Sequence, residues 1–261
     1  MTLVMGIVNV TPDSFSDGGR WFDPAAAIAH GRELVAAGAA IVDVGGESTR
    51  PGANRVSEHE ELTRVLPVVE ALAADGVAVS VDTMRSSVAR ACVKAGASIV
   101  NDVSGGLADD EMAPTVADLG VDFVLMHWRG HSRSMQQLTD YGDVVGDVAS
   151  ELASQRDRAV AAGVQRERII LDPGIGFSKT GQHNWELLRH LDALQALGHR
   201  LLVGVSRKRF LGDLLGAREA SGRDIATAAV SAWCALQGVW GVRTHEVTGQ
   251  LDAIAVAQRL R

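Results

Sequence analysis

Polar side chains recur in this sequence directly after short apolar runs, so groups able to do chemistry stand at the ends of predicted strands. Carboxylate, carboxamide, hydroxyl, imidazole and cationic groups all occur there. In chain order these positions are Asn9; Asp43 with residues 47–52; Asp82; Asn101 with Asp102; His127; Asp172; Ser206 with residues 207–209; and Arg243 with His245. Each alone has an ordinary explanation, such as a helix cap, a turn or a satisfied buried histidine. Their recurrence predicts a shared site.

The candidate side chains divide into two chemical sets. The first set consists of Asp82, Asn101 and Asp172. Carboxylate and carboxamide groups suit the edge of a planar heterocycle that carries amino and ring N–H donors. The second set consists of Lys208, Arg243 and His245. Cationic and imidazole donors suit phosphate oxygens or a ring carbonyl, and backbone N–H groups near Ser206 could also hold an anion. The two sets together predict a site for a flat polar ring with a phosphate-like tail.

The metal-binding signal in the sequence is weaker. The sequence has no Cys-x-x-Cys motif and no cluster of carboxylates that would suit zinc or calcium. Magnesium keeps several waters and often takes its other ligands from substrate phosphates. A single protein oxygen, that of Asn9, is therefore a sufficient candidate ligand for Mg²⁺.

Composition limits the classes of protein to which the chain can belong. The 261 residues carry a net charge of −7, which argues against a general binder of nucleic acids or anionic membranes. The two cysteines, Cys92 and Cys234, lie in Ala-rich helical patterns and are expected to be buried free thiols. No signal peptide and no apolar run of about 20 residues is recognisable. We expect a soluble cytoplasmic protein.

The elements that must position the candidate groups alternate strictly between strand and helix. Asp23-Pro24 begins the first predicted helix, and glycines such as Gly38 and Gly96 end successive helices. The predicted strands begin near Val4 and then lie near residues 40–44, 77–81, 98–100, 122–126, 169–171, 201–205 and at Val242. Eight such units predict one (β/α)8 barrel over residues 1–261, with the site at the C-terminal strand ends. An open doubly wound sheet is the alternative, but the Gly-x-Gly-x-x-Gly turn is missing after the first strand.

Several long motifs resemble those of the bacterial dihydropteroate synthases, which are pterin-binding enzymes. The resemblance covers essentially the whole chain. Its motifs are residues 9–19, 43–52, 80–83, 101–105, 172–177, 204–212 and 242–247. It implies a folate-pathway transferase that joins p-aminobenzoate to (7,8-dihydropterin-6-yl)methyl diphosphate and releases diphosphate with Mg²⁺. It also implies sulfonamide binding in the aminobenzoate pocket and a homodimer. Residues 225–236 with Trp233, followed by Trp240, could form an apolar dimer face, although packing within the barrel explains them equally well.

The resemblance also assigns the site residues. The pterin ring would contact Asp82, Asn101, Asp172 and Lys208. The diphosphate would contact Arg243, His245 and, through Mg²⁺, Asn9. A second loop, residues 47–52, would bring Thr49 and Arg50, beside Pro51, to the site. The aminobenzoate pocket would contain Ser206, Phe177 and Pro51. The residues expected to be catalytic are Asp17, Asp82 and Lys208.

A mechanism in which diphosphate departs before the arylamine attacks fits these groups. Cationic groups would stabilise the leaving diphosphate, while Asp82 or Asp17 would stabilise the positive pterin methylene. Residues 11–19 and 47–52 would act as lids, with Phe15 excluding water. Two alternatives remain at this stage: a methyltetrahydrofolate methyltransferase barrel, and a non-catalytic barrel that binds pterin or anions. The diphosphate-binding set argues against the first alternative, and an intact lid argues against the second.

Overall fold

The computed structural model describes residues 2–11, 23–50, 52–132 and 135–261. Within these ranges the strands pair in parallel and in chain order, and β8 pairs with β1 to close a barrel. The strands are β1 Leu3–Asn9, β2 Ile41–Gly45, β3 Val79–Asp82, β4 Ile99–Asp102, β5 Asp122–Met126, β6 Ile169–Asp172, β7 Arg200–Val203 and β8 Gly241–Thr244. The predicted (β/α)8 barrel is confirmed.

Helices connect each strand to the next and surround the barrel. They are α1 Pro24–Ala36, α2 Glu58–Ala74, α3 Ser86–Lys94, α4 Met112–Leu119, α5 Val144–Ala161, α6 Gly181–Arg189, α7 Leu191–Gln195, α8 Arg209–Leu214, α9 Asp224–Leu236 and α10 Thr248–Leu260. Short 3₁₀ turns cover Met135–Gln137, Arg166–Arg168 and Ala220–Arg223. In the ranges that the structure describes, no helix is long and apolar enough to span a membrane.

The helix boundaries follow the local signals in the sequence. The Asp23 side chain accepts a hydrogen bond from the backbone N–H of Ala26 at 3.1 Å, and Pro24 occupies the first helical position of α1. Gly96 follows α3 with φ at +113°, and a Cβ there would lie 2.6 Å from the Ala73 Cβ. Only glycine combines that backbone conformation with so close an approach. Each predicted helix end therefore has a physical cause.

Alternation along the strands produces two cores. Outward-facing residues pack against the helices, whereas the lower part of the barrel interior is filled by Met5, Ile41, Ile99, Val124, Ile170 and Leu202. Successive residues of a strand point to opposite faces, so a residue two positions further on returns to the interior, one layer nearer the C-terminal end. In β2, β4 and β6 that step leads from an isoleucine to Asp43, Asn101 and Asp172 respectively. The apolar layer is thus the floor of a polar layer.

Cys92 and Cys234 are buried free thiols, as predicted, and burial raises the pKa of each thiol to about 12.

Trp240 packs against the apolar floor of the barrel, and the Arg200 guanidinium lies 5.3 Å from its ring centroid. Trp233 is 39% exposed on α9 and donates from Nε1 to the Leu188 carbonyl at 2.7 Å. The two tryptophans considered for one apolar face therefore differ in surroundings: the partly buried Trp240 packs against the floor of the barrel, and Trp233 lies on the outer surface.

Candidate active site

Arg243 lies at the centre of the polar layer, where it joins three strand ends. Its Nε donates to Asp43 Oδ2 at 2.5 Å, and its Nη2 donates to Asp82 Oδ2 at 2.8 Å. Asn101 Nδ2 donates to the same Asp43 oxygen at 3.0 Å. These contacts link β8, β2, β3 and β4. The predicted convergence of distant strand ends at one rim is confirmed.

In this network one guanidinium, that of Arg243, contacts two carboxyl groups, those of Asp43 and Asp82. Burial alone would lower the pKa of Arg243, but Asp43 and Asp82 together raise it, so the guanidinium stays charged. Burial raises the pKa of Asp82 to about 8, and Arg243 only partly opposes that rise because it also pairs with Asp43, which itself raises the Asp82 pKa. Asp82 therefore titrates near neutral pH, where a carboxyl group can hold or release a proton.

Asp172 and Lys208 form the other side of the pocket. Asp172 Oδ1 accepts from the backbone N–H of Gly174 at 2.7 Å, so the predicted turn is present as well as the strand-end carboxylate. Burial raises the Asp172 pKa, and the positive charge of Lys208 opposes this rise. Lys208 Nζ donates to the carbonyl of Ile175 and lies 4.7 Å from the centroid of the Phe177 ring. Burial lowers the Lys208 pKa to about 8.

Ser206 and His245 meet where β7 and β8 end. Ser206 Oγ lies 2.9 Å from His245 Nδ1 and accepts from the His245 backbone N–H at 3.1 Å. Arg207, which comes between the site residues Ser206 and Lys208, has φ at +58° and donates to Asp224 at 2.7 and 2.9 Å. Its charge is thereby used to fix the start of α9. Ser206 and His245 remain at the rim as the predicted hydroxyl and imidazole.

The second loop is held to the barrel by buried charges. Arg85 donates to Glu47 Oε2 at 2.9 Å and to Glu61, and Thr83 Oγ1 donates to Glu61 Oε1 at 2.6 Å. Within the loop Arg50 Nε donates to Ser48 Oγ at 3.0 Å. The Glu47–Arg85–Glu61 cluster thus ties the loop to the segment that follows Asp82.

Thr49 of the second loop faces the pocket. It lines a narrow cleft together with Met84, Val103, Trp128 and Phe177. Met84, Val103 and Phe177 also pack around Met126 at the C-terminal end of the barrel. Thr49 and Phe177, both predicted to contact substrate, are therefore near neighbours.

The remaining predicted residues fall into two groups. Asn9 is the last residue of β1 and pairs in register with Gly45 of β2, beside the polar layer. No group of three or more His, Cys, Asp or Glu side chains suited to a metal occurs in the described part of the chain. Asp17, Phe15 and Pro51 lie outside the described residues, so their predicted roles stay predictions.

Sequence reasoning missed part of the site and overstated another part. The sequence pattern indicates Asp43 only as a strand-end residue, yet Asp43 is fully buried and accepts hydrogen bonds from both Arg243 and Asn101. His127 follows β5 as predicted, but both ring nitrogens have partners behind the pocket, Lys179 and Glu151. Its ordinary explanation, a satisfied buried histidine, is confirmed. Lys179 was not singled out, although a lysine two residues after Phe177 in a chain with three lysines was an available signal.

Comparison with known proteins agrees with this geometry. The family described as "Pterin binding enzyme" matches residues 5–245. A dihydropteroate synthase of Mycobacterium leprae (strain TN) is 55% identical over 259 residues, which are 97% of this chain and 91% of that protein. A dihydropteroate synthase of Synechocystis sp. (strain ATCC 27184 / PCC 6803 / Kazusa) is 45% identical over 260 residues, which are 99% of this chain and 90% of that protein.

Solved structures give the same result. Yersinia pestis dihydropteroate synthase in a sulfonamide drug complex superposes with a TM-score of 0.96 at 41% identity, over 100% of this chain and 94% of that one. The Xanthomonas albilineans dihydropteroate synthase in complex with 7,8-dihydropteroate has a TM-score of 0.89 at 41% identity, over 99% of this chain and 93% of that one. The chain therefore belongs to the pterin-binding enzyme family. The resemblance to the dihydropteroate synthases is confirmed, and the chain is an enzyme of the transferase class.

Proposed function

We propose that this chain condenses (7,8-dihydropterin-6-yl)methyl diphosphate with p-aminobenzoate to give 7,8-dihydropteroate and diphosphate, as a step of folate biosynthesis. The observation that carries the proposal is the meeting of two chemical sets at one rim. Arg243 lies 2.8 Å from Asp82, and the charges of Arg243, Lys208 and Asp172 act on one another. Relatives crystallised with 4-aminobenzoic acid and with 7,8-dihydropteroate support this assignment.

The pterin ring would lie deep, on the polar layer. Asp172 and Asp82 are each 7% exposed and Asn101 is 4% exposed, so hydrogen bonds to ring N–H groups would form away from water. A buried carboxylate left without a donor is costly, and a ring that supplies N–H donors relieves that cost. Lys208, held over Phe177, would donate to a ring acceptor. This arrangement selects a ring with donors along one edge.

The diphosphate would lie nearer solvent, against Arg243, His245 and Mg²⁺. The described residues contain no carboxylate cage, which suits a metal that takes its ligands from substrate phosphate and water. The Asn9 carboxamide oxygen at the end of β1 fits such a metal as its one protein ligand. When bound, Mg²⁺ would neutralise charge on the departing diphosphate.

The carbon–oxygen bond would break with its electron pair leaving on diphosphate, which gives a cationic pterin methylene. The arylamine nitrogen would then form the new carbon–nitrogen bond and release one proton to solvent. Arg243 stays charged because Asp43 and Asp82 raise its pKa, so it would stabilise the leaving group without gaining or losing a proton. Asp82 lies beside Arg243, and burial raises its pKa to about 8. A positive methylene next to it would favour its ionised form, and that carboxylate would stabilise the cation. Asp17 of the first loop would supply a second negative charge. The aminobenzoate would enter between Thr49, Phe177 and Ser206, the pocket in which sulfonamides would compete.

A homodimer is the second part of the proposal. Large apolar side chains are exposed on α9 and α10, namely Ile225 at 82%, Trp233 at 39%, Val256 at 61% and Leu260 at 77%. The two helices pack against each other, so both would contribute to the dimer face. Analytical ultracentrifugation of wild type and Ile225→Glu would test it. Wild type should sediment as a dimer and the variant as a monomer, and an Ile225→Glu variant that still forms the dimer would reject this face.

Diphosphate release is the direct test of the reaction. The purified chain should release diphosphate when both substrates and Mg²⁺ are present, and 7,8-dihydropteroate should accumulate in equal amount. Omission of p-aminobenzoate should abolish product formation. A methyltetrahydrofolate methyltransferase would bind the methyl donor and release no diphosphate, whereas a non-catalytic barrel would bind pterin without turnover. Either result would remove the proposed function.

A further inference from the structure

Lys179 is a buried lysine that the proposed reaction does not use. It is 4% exposed and follows the turn after β6. Its Nζ donates to the carbonyl oxygens of Gly174 at 3.1 Å and Phe177 at 3.0 Å, and it lies 2.9 Å from His127 Nδ1. An ammonium group has three N–H donors and no acceptor. These three partners therefore satisfy a charged Lys179 completely.

His127 extends the hydrogen bonds away from the pocket. The ring is fully buried, and its Nε2 lies 2.9 Å from Glu151 Oε2. A neutral ring with its proton on Nε2 can accept from Lys179 at Nδ1 and donate to Glu151. Burial, reinforced by the Lys179 charge, lowers the His127 pKa to about 4, which agrees with that neutral form. Arg129 holds Glu151 from the other side at 2.5 and 3.1 Å. The chain of contacts thus runs from the pocket to α5.

The turn that Lys179 holds is part of the substrate pocket. Residues 173–178 connect Asp172 to Lys179 and include Phe177. Lys208 holds the same turn from the substrate side through the carbonyl of Ile175. The Asp172 carboxylate and the Lys179 ammonium also attract each other. The two lysines therefore fix the turn from opposite sides, and only Lys208 is positioned to contact substrate.

We propose that Lys179 is a positioning residue for pterin binding: its ammonium group fixes the 173–178 turn and balances the charge of Asp172, while His127 accepts a hydrogen bond from it and the charge of Glu151 favours its protonated form. The inference rests on the proposed function, because Asp172 and Phe177 are assigned to substrate there. Its consequence is that pterin binding and protonation of Lys179 are linked. The ammonium form binds more tightly, and by reciprocity bound pterin favours the ammonium form.

The groups around Lys179 decide the direction of that linkage. Asp172 from β6 and Glu151 from α5 favour the ammonium, whereas burial, Lys208 after β7 and Arg129 after β5 oppose it. His127, at the end of β5, contributes an acceptor without charge. Burial prevails and lowers the Lys179 pKa to about 7. Loss of the ammonium, and with it of pterin affinity, is therefore expected as the pH rises through neutrality.

The lysine content of the chain makes this protonation measurable. The sequence has three lysines, Lys94, Lys179 and Lys208, and Lys94 is exposed at the end of α3. Labelling with [ε-¹³C]lysine would give three NMR signals, each assigned by a Lys→Met variant. The Lys179 signal should titrate near neutral pH, and pterin diphosphate should move its midpoint to higher pH. A tenfold preference for the ammonium form corresponds to a displacement of about one pH unit. A midpoint that does not respond to pterin diphosphate would overturn the proposal.

Variants test the same linkage through affinity. By calorimetry with pterin diphosphate alone, Lys179→Met should raise the Kd at least about tenfold, whereas Lys94→Met, the same chemical change at an exposed site, should leave it unchanged. Glu151→Gln should shift both the Lys179 midpoint and the alkaline loss of affinity to lower pH, because a charge that favours the ammonium is removed. A purely structural role would lower stability without moving that pH profile.

The outcomes separate this inference from the function on which it rests. Wild-type Kd in folded Lys179→Met, or an unchanged alkaline profile in Glu151→Gln, would reject the positioning role while leaving the reaction in place. If Lys179→Met does not fold, the wild-type titration and Glu151→Gln decide the question. Absence of diphosphate release by wild type would instead reject the proposed function.

Discussion

Acidification should destabilise this protein through His127, and the size of the effect follows from its surroundings. The ring is fully buried between Lys179 and Glu151, and its pKa falls from 6.5 to about 4 in the folded protein. A group with a lowered folded-state pKa contributes stability that is present above the unfolded-state pKa and is lost as the pH falls through the folded-state pKa. The relevant window is therefore between about pH 6.5 and about pH 4.

The magnitude can be worked from the two pKa values. Each pH unit of difference corresponds to about 1.4 kcal/mol, and at the lower end of the window half of the folded molecules already carry the proton. Between about pH 7 and about pH 4, His127 should therefore remove about 3 kcal/mol from the free energy of unfolding. About half of this loss should be complete near pH 5.5. Asp82 and Asp102, with raised pKa values, act in the opposite direction and must be cancelled by comparison with a variant.

Urea unfolding of wild type and His127→Gln across this range isolates the contribution. Any pH-independent cost of the substitution cancels when the change with pH is compared, so the variant should lose about 3 kcal/mol less than wild type on acidification. His59→Gln, which removes an exposed imidazole on α2, serves as the matched control and should follow wild type. Parallel stability profiles for wild type and His127→Gln would show that His127 is not held neutral in the folded protein.

Three further predictions concern the rim. Asp43→Asn keeps one side-chain oxygen, which can still accept from both Arg243 and Asn101, but it removes the negative charge opposite Arg243. The free energy of unfolding, measured by urea titration, should therefore fall by about 2 kcal/mol. An unchanged urea midpoint would contradict the pairing of Asp43 with Arg243. Gly176→Ala adds a Cβ at φ +84° and 2.9 Å from the Lys208 side chain, so calorimetry should show pterin affinity reduced several-fold, and wild-type affinity would reject this packing. Asn9→Ala should raise the Mg²⁺ concentration needed for half-maximal diphosphate release, and an identical Mg²⁺ titration would remove Asn9 as the ligand.

The sequence was sufficient to predict the fold because its signals are local. Asp23-Pro24 at the start of α1 and the glycine after α3 act within a few residues, and strand-helix alternation then constrains the topology. The predicted boundaries needed only small changes. The seventh strand, for example, covers Arg200–Val203 rather than residues 201–205, because Gly204 and Val205 already belong to the turn toward Ser206. The same alternation placed the polar groups at one rim.

The pairing of charges at that rim was not predictable in the same way. The contacts of Arg243 with Asp43 and Asp82 join residues separated by 200 and 161 positions. Which carboxylate pairs with which cation depends on the stagger of the closed barrel, and no local pattern encodes it. The sequence therefore predicted that Arg243 binds phosphate, a role that stays a prediction, without showing that two carboxylates keep it charged.

His127 and Lys179 show a second limit of strand-end reasoning. The rule that polar groups after parallel strands belong to the site gives their position but not the direction of their side chains. His127 faces away from the pocket because it comes one residue after Met126, whose side chain faces the barrel interior, and its ring contacts Lys179 and Glu151 instead. The proposed recognition of ring N–H groups requires the buried Asp172 to be ionised, and positive charge close by opposes the rise in pKa that burial causes. Lys208 supplies that charge from the substrate side, and Lys179 supplies it from behind with a hydrogen-bonded connection to α5, so substitutions on that helix are expected to alter pterin affinity without contacting the substrate.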